Sequence, residues 1–153
     1  MKRHWILIAT ALFSFALGAT ATHAPLVARA AAALTPAAID LDAIGPDAMG
    51  APPAAFPNLH SKTLVAADGM TLALQMGTAP KHYHADANEI QVVLEGTGTE
   101  WLGDQQVAIK PGMMIVIPSG TNHAGLVQTG PVPLRFISIK TPPQAPTDIH
   151  FVQ

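Results

Sequence analysis

His82-Tyr83-His84-Ala85-Asp86-Ala87-Asn88-Glu89 places two histidines two residues apart and a glutamate five residues further on, with Gly96 after them. Side chains alternate across a β-strand, so His82 and His84 share one face and Tyr83 takes the other as a packing residue. After a short bend the chain returns at Glu89, whose carboxylate can reach the same point. A second stretch, Gly112-Met113-Met114-Ile115-Val116-Ile117-Pro118-Ser119-Gly120-Thr121-Asn122-His123, turns tightly at Pro118 to Gly120 and delivers His123 into the following strand. Three neutral imidazoles and one carboxylate make a mixed nitrogen and oxygen donor set. It suits one divalent transition metal (manganese, iron, nickel, copper or zinc) and leaves positions free on an ion that prefers six ligands.

Outward from these stretches the texture is β throughout. Thr63–Val65, the Asp68-Gly69 pair and Met70–Met76 read as a hairpin, because Asp-Gly tolerates the positive φ angles of a tight turn. Further strands are expected at His82–His84, Asn88–Leu94, Thr97–Leu102, Gln105–Ile109, Met113–Ile117, His123–Val127 and Leu134–Ile139, with a second tight turn at Gly103-Asp104. Many short strands separated by glycines indicate an all-β sandwich or barrel. Ile90–Leu94 and Met113–Ile117 are apolar on nearly both faces, whereas a solvated outer sheet alternates. Some outer face is therefore expected to be covered, by the N-terminal arm or by a second copy in a homodimer.

These residues resemble the cupin family. Its first motif has the form His-x-His, three or four residues, Glu, six residues, Gly, and His82, His84, Glu89 and Gly96 meet every spacing. Its second motif is matched by Gly112, Pro118, Gly120 and His123, and fifteen residues separate Gly96 from Gly112. Gly77 stands one residue closer to His82 than the usual leading glycine, and Val127 stands where an Asn often follows the last histidine. The resemblance implies a jelly-roll β-barrel of antiparallel strands over residues 61–145, with His82, His84, Glu89 and His123 as metal ligands. His60 and His150 fall outside the motifs and read as surface histidines.

Upstream, Met1-Lys2-Arg3-His4 is a short basic start and Trp5 to Leu17 an apolar run of 13 residues. That run is shorter than the roughly 20 residues a membrane span needs. Small residues follow, with cleavage signals after Ala21, Ala24 and Ala30, so residues 1–24 read as a secretory signal peptide. The expectation is a protein of the periplasm or secreted, without a stable membrane anchor after cleavage. Residues 25–60 form an arm rich in Ala and Pro, with a short helix expected to start at Thr35-Pro36, and residues 146–153 a C-terminal tail. Removal of 24 residues leaves six basic and ten acidic side chains, a net charge of −4, which excludes the basic face that nucleic acid requires. The chain has no cysteine, so disulfides, thiolate metal sites and thiol nucleophiles are all excluded.

Cupin resemblance implies a site rather than a substrate. A phosphosugar or dicarboxylate calls for clustered cations, and only Arg135 and Lys81 are candidates for the interior. Gln91 shares the face of Glu89 and is the other candidate for contact with a ligand. Glu95, Glu100 and Asp86 read as solvated carboxylates. Val93, Trp101, Met113 and Phe136 are candidate pocket walls. An apolar interior around one metal suits a small neutral or aromatic molecule. The reaction expected is that of a metal-dependent oxygenase or related oxidoreductase on a hydroxylated or enolic compound. The alternative is a small-molecule or metal-binding protein without turnover.

Overall fold

Asp68 and Gly69 both have positive φ, 48° and 74°, and this turn closes the first hairpin, β1 (Leu59–Ala67) with β2 (Met70–Gly77). The structure, a computed structural model, describes residues 32–152. Eight further strands follow: β3 (His82–Tyr83), β4 (Asn88–Glu95), β5 (Gly98–Leu102), β6 (Gln105–Ile109), β7 (Met114–Ile117), β8 (His123–Gln128), β9 (Arg135–Thr141) and β10 (His150–Phe151). They form two five-stranded sheets, in the orders β1-β2-β9-β4-β7 and β10-β3-β8-β5-β6. Every pairing is antiparallel. This is the expected all-β jelly roll, two sheets facing each other around one interior.

Two motif glycines are needed where backbones meet. A Cβ on Gly96, at φ 79°, would lie 2.6 Å from the Pro133 carbonyl oxygen, and one on Gly77, at φ 110°, would overlap that of Asn58. No other residue type fits such approaches without moving the neighbouring strand. A bulge marks the other sheet. Between Thr99 and Trp101 the register on β8 advances from Val127 to Ala124, and Ala124 and Gly125 take positive φ of 62° and 60°.

The interior is filled by Val93, Ile109, Ile115, Ile117, Leu126 and Leu134. A second cluster lies outside the first sheet, where Leu74 and Ile137 are buried beneath Met49 with Leu41 and Ile44 beside them. The arm thus covers the outer face of β2, β9 and β4, which accounts for the apolar residues on both faces of Ile90–Leu94. On β7 the outer residues Met114 and Val116 stay exposed, at 65% and 56%. Leu74 is fully buried under the arm. Its truncation, Leu74→Ala, is expected to destabilise the fold by about 3 kcal/mol, read as a lower urea midpoint with an unchanged slope.

The short helix expected at Thr35-Pro36 does not form. Ala37, Ala38 and Ile39 are exposed and non-helical, because a single turn with no buried face cannot offset the cost of nucleation. The helical element among the described residues is instead one 3₁₀ turn, Pro46–Ala48, which leads Met49 into its buried position. Residues 146–152, in the C-terminal segment, carry the last strand. They place β10 against β3, pairing His150 with Tyr83 and Phe151 with His82. The expected signal peptide lies outside the described residues. No helix among those described is long and apolar enough to cross a membrane.

Candidate metal centre

His82 sits directly across from His123 in the β3–β8 pair, so their side chains project to the same face. His84 follows β3, and its carbonyl accepts the Gly120 N–H at 2.7 Å, tying the two histidine-bearing stretches together. Glu89 reaches across from β4 of the opposite sheet. The ring centroids of His82 lie 4.4 Å from His123 and 5.0 Å from His84, and candidate donor atoms of all three rings fall within 4.8 Å of one another. All four side chains are buried.

Each imidazole is held through its Nδ1. His82 donates to the Pro80 carbonyl at 2.7 Å, His84 to the Asp148 carbonyl at 2.5 Å and His123 to the Thr121 carbonyl at 2.9 Å. Donation from Nδ1 leaves Nε2 as the atom that a neutral ring can offer to a metal. The Nε2 atoms of His84 and His123 are buried with no hydrogen-bond partner. They lie 3.2 and 3.3 Å from Oε2 of Glu89. The other carboxylate oxygen is occupied, accepting from Ser138 Oγ at 2.7 Å and Gln91 Nε2 at 3.1 Å. Two imidazole nitrogens and a carboxylate oxygen facing one another in a buried site need a cation among them, a proton or a metal ion. This donor set therefore fits a divalent metal.

The electrostatics agree with that reading. Burial and the neighbouring His123 lower the His82 imidazole to about 4, so it stays a neutral donor. Burial alone would raise the Glu89 carboxyl, but hydrogen bonds from His123 and His84 and the charge of Lys140 hold it well below the usual carboxylate range, so the metal-free site keeps protons where a metal would sit. Above these residues opens a cavity of about 290 Å³. Its lining is mixed, with Phe56, Leu126, Phe136 and Ile149 apolar and Ser61, Thr63, Gln75 and Ser138 polar.

Several expectations are corrected. Arg135 is neither an interior cation nor a surface residue: it is buried and bonds Glu95 at 2.6 Å and the Leu41 carbonyl, on the opposite face of β9 from Phe136 and Ser138. Lys81 lies 4.0 Å over the ring of Trp101, and both stand outside the cavity. Val93 and Met113 pack in the core below rather than lining the opening. Gln91 and Phe136 do line it. His60 bonds the Gly50 carbonyl, and His150 stacks on Tyr83 at 4.7 Å, both away from the cluster. Glu100 is not solvated. It is 1% exposed, neither carboxylate oxygen has a partner, and burial pushes its carboxyl up to about 7.

Two residues were not anticipated. Asp148 accepts the N–H groups of Ala85, Asp86 and Ala87 at 2.6, 3.2 and 3.0 Å, pinning the bend between the histidines and Glu89. Lys140 lines the cavity with its Nζ 3.6 Å from Oε2 of Glu89. The strand alternation that places Phe136 inward also places Lys140 there; nothing local announces Asp148.

Residues 70–140 match the family described as Cupin domain. The chain carries a cupin domain. Among solved structures this cupin is similar to TT1209 from Thermus thermophilus, with 17% identity and a TM-score of 0.57, covering 69% of this chain and 97% of that one. The polyketide cyclase RemF from Streptomyces resistomycificus gives 26% identity and a TM-score of 0.54 over 65% of this chain and 74% of its own. A predicted oxalate decarboxylase from Thermotoga maritima gives 22% and 0.50, over 54% and 79%. No curated protein matches the chain significantly.

Proposed function

We propose that this cupin is an exported, metal-dependent oxygenase or related oxidoreductase acting on a small hydroxylated or enolic molecule. The carrying observation is the convergence of two partnerless Nε2 atoms on one carboxylate oxygen in a buried site that opens to a cavity. His82, His84, His123 and Glu89 would hold one divalent transition metal. Bound there, the ion supplies Lewis acidity toward ligand oxygens and, if redox-active, electrons for dioxygen chemistry.

The protein's own groups do the rest. The three backbone carbonyls orient the imidazoles, and Ser138 and Gln91 fix the carboxylate so that one oxygen stays available. Phe56 and Ile149 line the cavity with apolar surface that disfavours water beside the site. RemF, a polyketide cyclase of related fold, supports catalysis as a role for such a barrel.

The deciding experiment is elemental analysis of protein recovered from the exported compartment, alongside His84→Ala. About one metal equivalent is expected in the wild type and almost none in the variant. Oxygen uptake by the loaded protein over a panel of catechols and enols then separates turnover from binding alone. Metal without uptake supports a non-catalytic binding protein, and no metal after reconstitution defeats the metal reading. Intact mass of the same preparation reports whether 21, 24 or 30 residues have been removed. The exposed Met114 and Val116 support a homodimer, which light scattering measures directly.

A further inference from the structure

The cavity contains a cation. Lys140 is the one lysine or arginine that lines it among the described residues. Its side chain is 14% exposed and projects from β9 on the same face as Ser138 and Phe136. Burying an ammonium is unfavourable unless an anion compensates it. The carboxylate beside it is Glu89, at 3.6 Å, and Glu89 already accepts from Ser138 and Gln91 while its Oε2 faces two imidazoles. With that oxygen committed to a metal, the ammonium keeps donors for something else. The further side-chain bond it makes is to Gln144, a neutral amide that satisfies one donor and no charge.

Position narrows the choice. Lys140 stands beside the carboxylate that would ligate the metal, so a ligand oxygen at the metal and a second anionic group at Lys140 belong to one small molecule. A single ammonium neutralises one carboxylate in full and leaves half the charge of a phosphate dianion unpaired in the cavity. Phe56, Leu126 and Ile149 in the lining suit a short carbon skeleton. We infer that the cavity takes a small monocarboxylate with a hydroxyl, oxo or enol oxygen on the adjacent carbon, Lys140 holding the carboxylate. This inference rests on the metal reading above. It also replaces the neutral or aromatic ligand expected from the sequence, which looked to Arg135 and Lys81 for an interior cation and passed over Lys140.

The test uses cobalt(II)-loaded full-length protein, its cobalt content measured first, with lactate and the uncharged lactamide as probes followed by calorimetry and the cobalt visible spectrum. Wild type should bind lactate about tenfold or more tightly than lactamide. Lys140→Met should lose that preference while keeping its cobalt, since removing a neighbouring positive charge does not weaken cation binding. Lactamide affinity should be unchanged in the variant, and Lys140→Arg should retain part of the preference. Lactate bound equally by wild type and Lys140→Met overturns the inference, as does cobalt-loaded wild type that binds no lactate. Absence of cobalt from the wild type instead removes the metal centre and this inference with it.

Discussion

Asp148→Ala is expected to weaken metal affinity by roughly 10- to 100-fold, the range found when groups that orient metal ligands are removed. Its carboxylate holds three consecutive N–H groups in the bend from His84 to Glu89, and its own carbonyl accepts Nδ1–H of His84. Alanine keeps the carbonyl but releases the anchor, so the ring of His84 and the loop behind it lose their fixed orientation together. Ala85 and Asp86 are exposed and can turn their N–H groups to water; Ala87 is buried, and its orphaned N–H costs about 1–3 kcal/mol. Competition against a chromophoric zinc chelator measures the affinity, and thermal unfolding of the metal-free protein measures the stability. A lower melting temperature with unchanged affinity would mean that Asp148 supports the fold without setting the site. Chain truncation after Ala145, which also removes the carbonyl, should cost more affinity than the substitution.

The dependence on Asp148 shows where reading the sequence succeeds and where it stops. Period-two alternation put His82 and His84 on one face of one strand, and the motif resemblance added His123 from the neighbouring strand and Glu89, which the structure brings across from the opposite sheet. The Asp68-Gly69 turn was legible for a similar reason, its conformation being a property of two adjacent residues. Asp148 acts on residues more than sixty positions away, and no local pattern encodes which edge a C-terminal segment will join. Glu100 was misread because Gly98, its inward neighbour, has no side chain to mark the face, while Trp101 attracted the inward assignment. In the structure Trp101 faces outward beneath Lys81, and Gly125 leaves room for it: a Cβ there would lie 2.9 Å from Cδ1 of the indole. The arm's role was foreseen only as one of two covers, since apolar residues on an outer face do not say what packs on them.

Glu100→Gln in metal-free protein should convert a nearly flat dependence of stability on pH into a steep one. Burial raises the Glu100 carboxyl from 4.5 to about 7. Between those values the folded state holds a proton that the unfolded state has released, so stability falls as pH rises. His82 works in the opposite sense, lowered from 6.5 to about 4 by burial and by His123 beside it. Between pH 4 and 6.5 the unfolded chain binds a proton there that the folded chain does not, so stability falls as pH drops. From pH 4.5 to 6.5 the two slopes, each about 1.4 kcal/mol per pH unit, cancel in the wild type. Glu89 and Asp148, both held below their ordinary values, act on stability at lower pH and leave this window alone. Glutamine removes the Glu100 proton and keeps the side-chain shape, which exposes the His82 slope. Urea unfolding of chelator-treated protein should show the variant losing about 3 kcal/mol from pH 6.5 to 4.5 while the wild type changes little. At pH 8 the wild type buries a carboxylate with no partner and has lost stability, relative to its own value at pH 4.5, that the variant does not lose through this position. Parallel profiles for the two proteins would show that the Glu100 carboxyl gains water or a partner in solution, and with it an ordinary acidity.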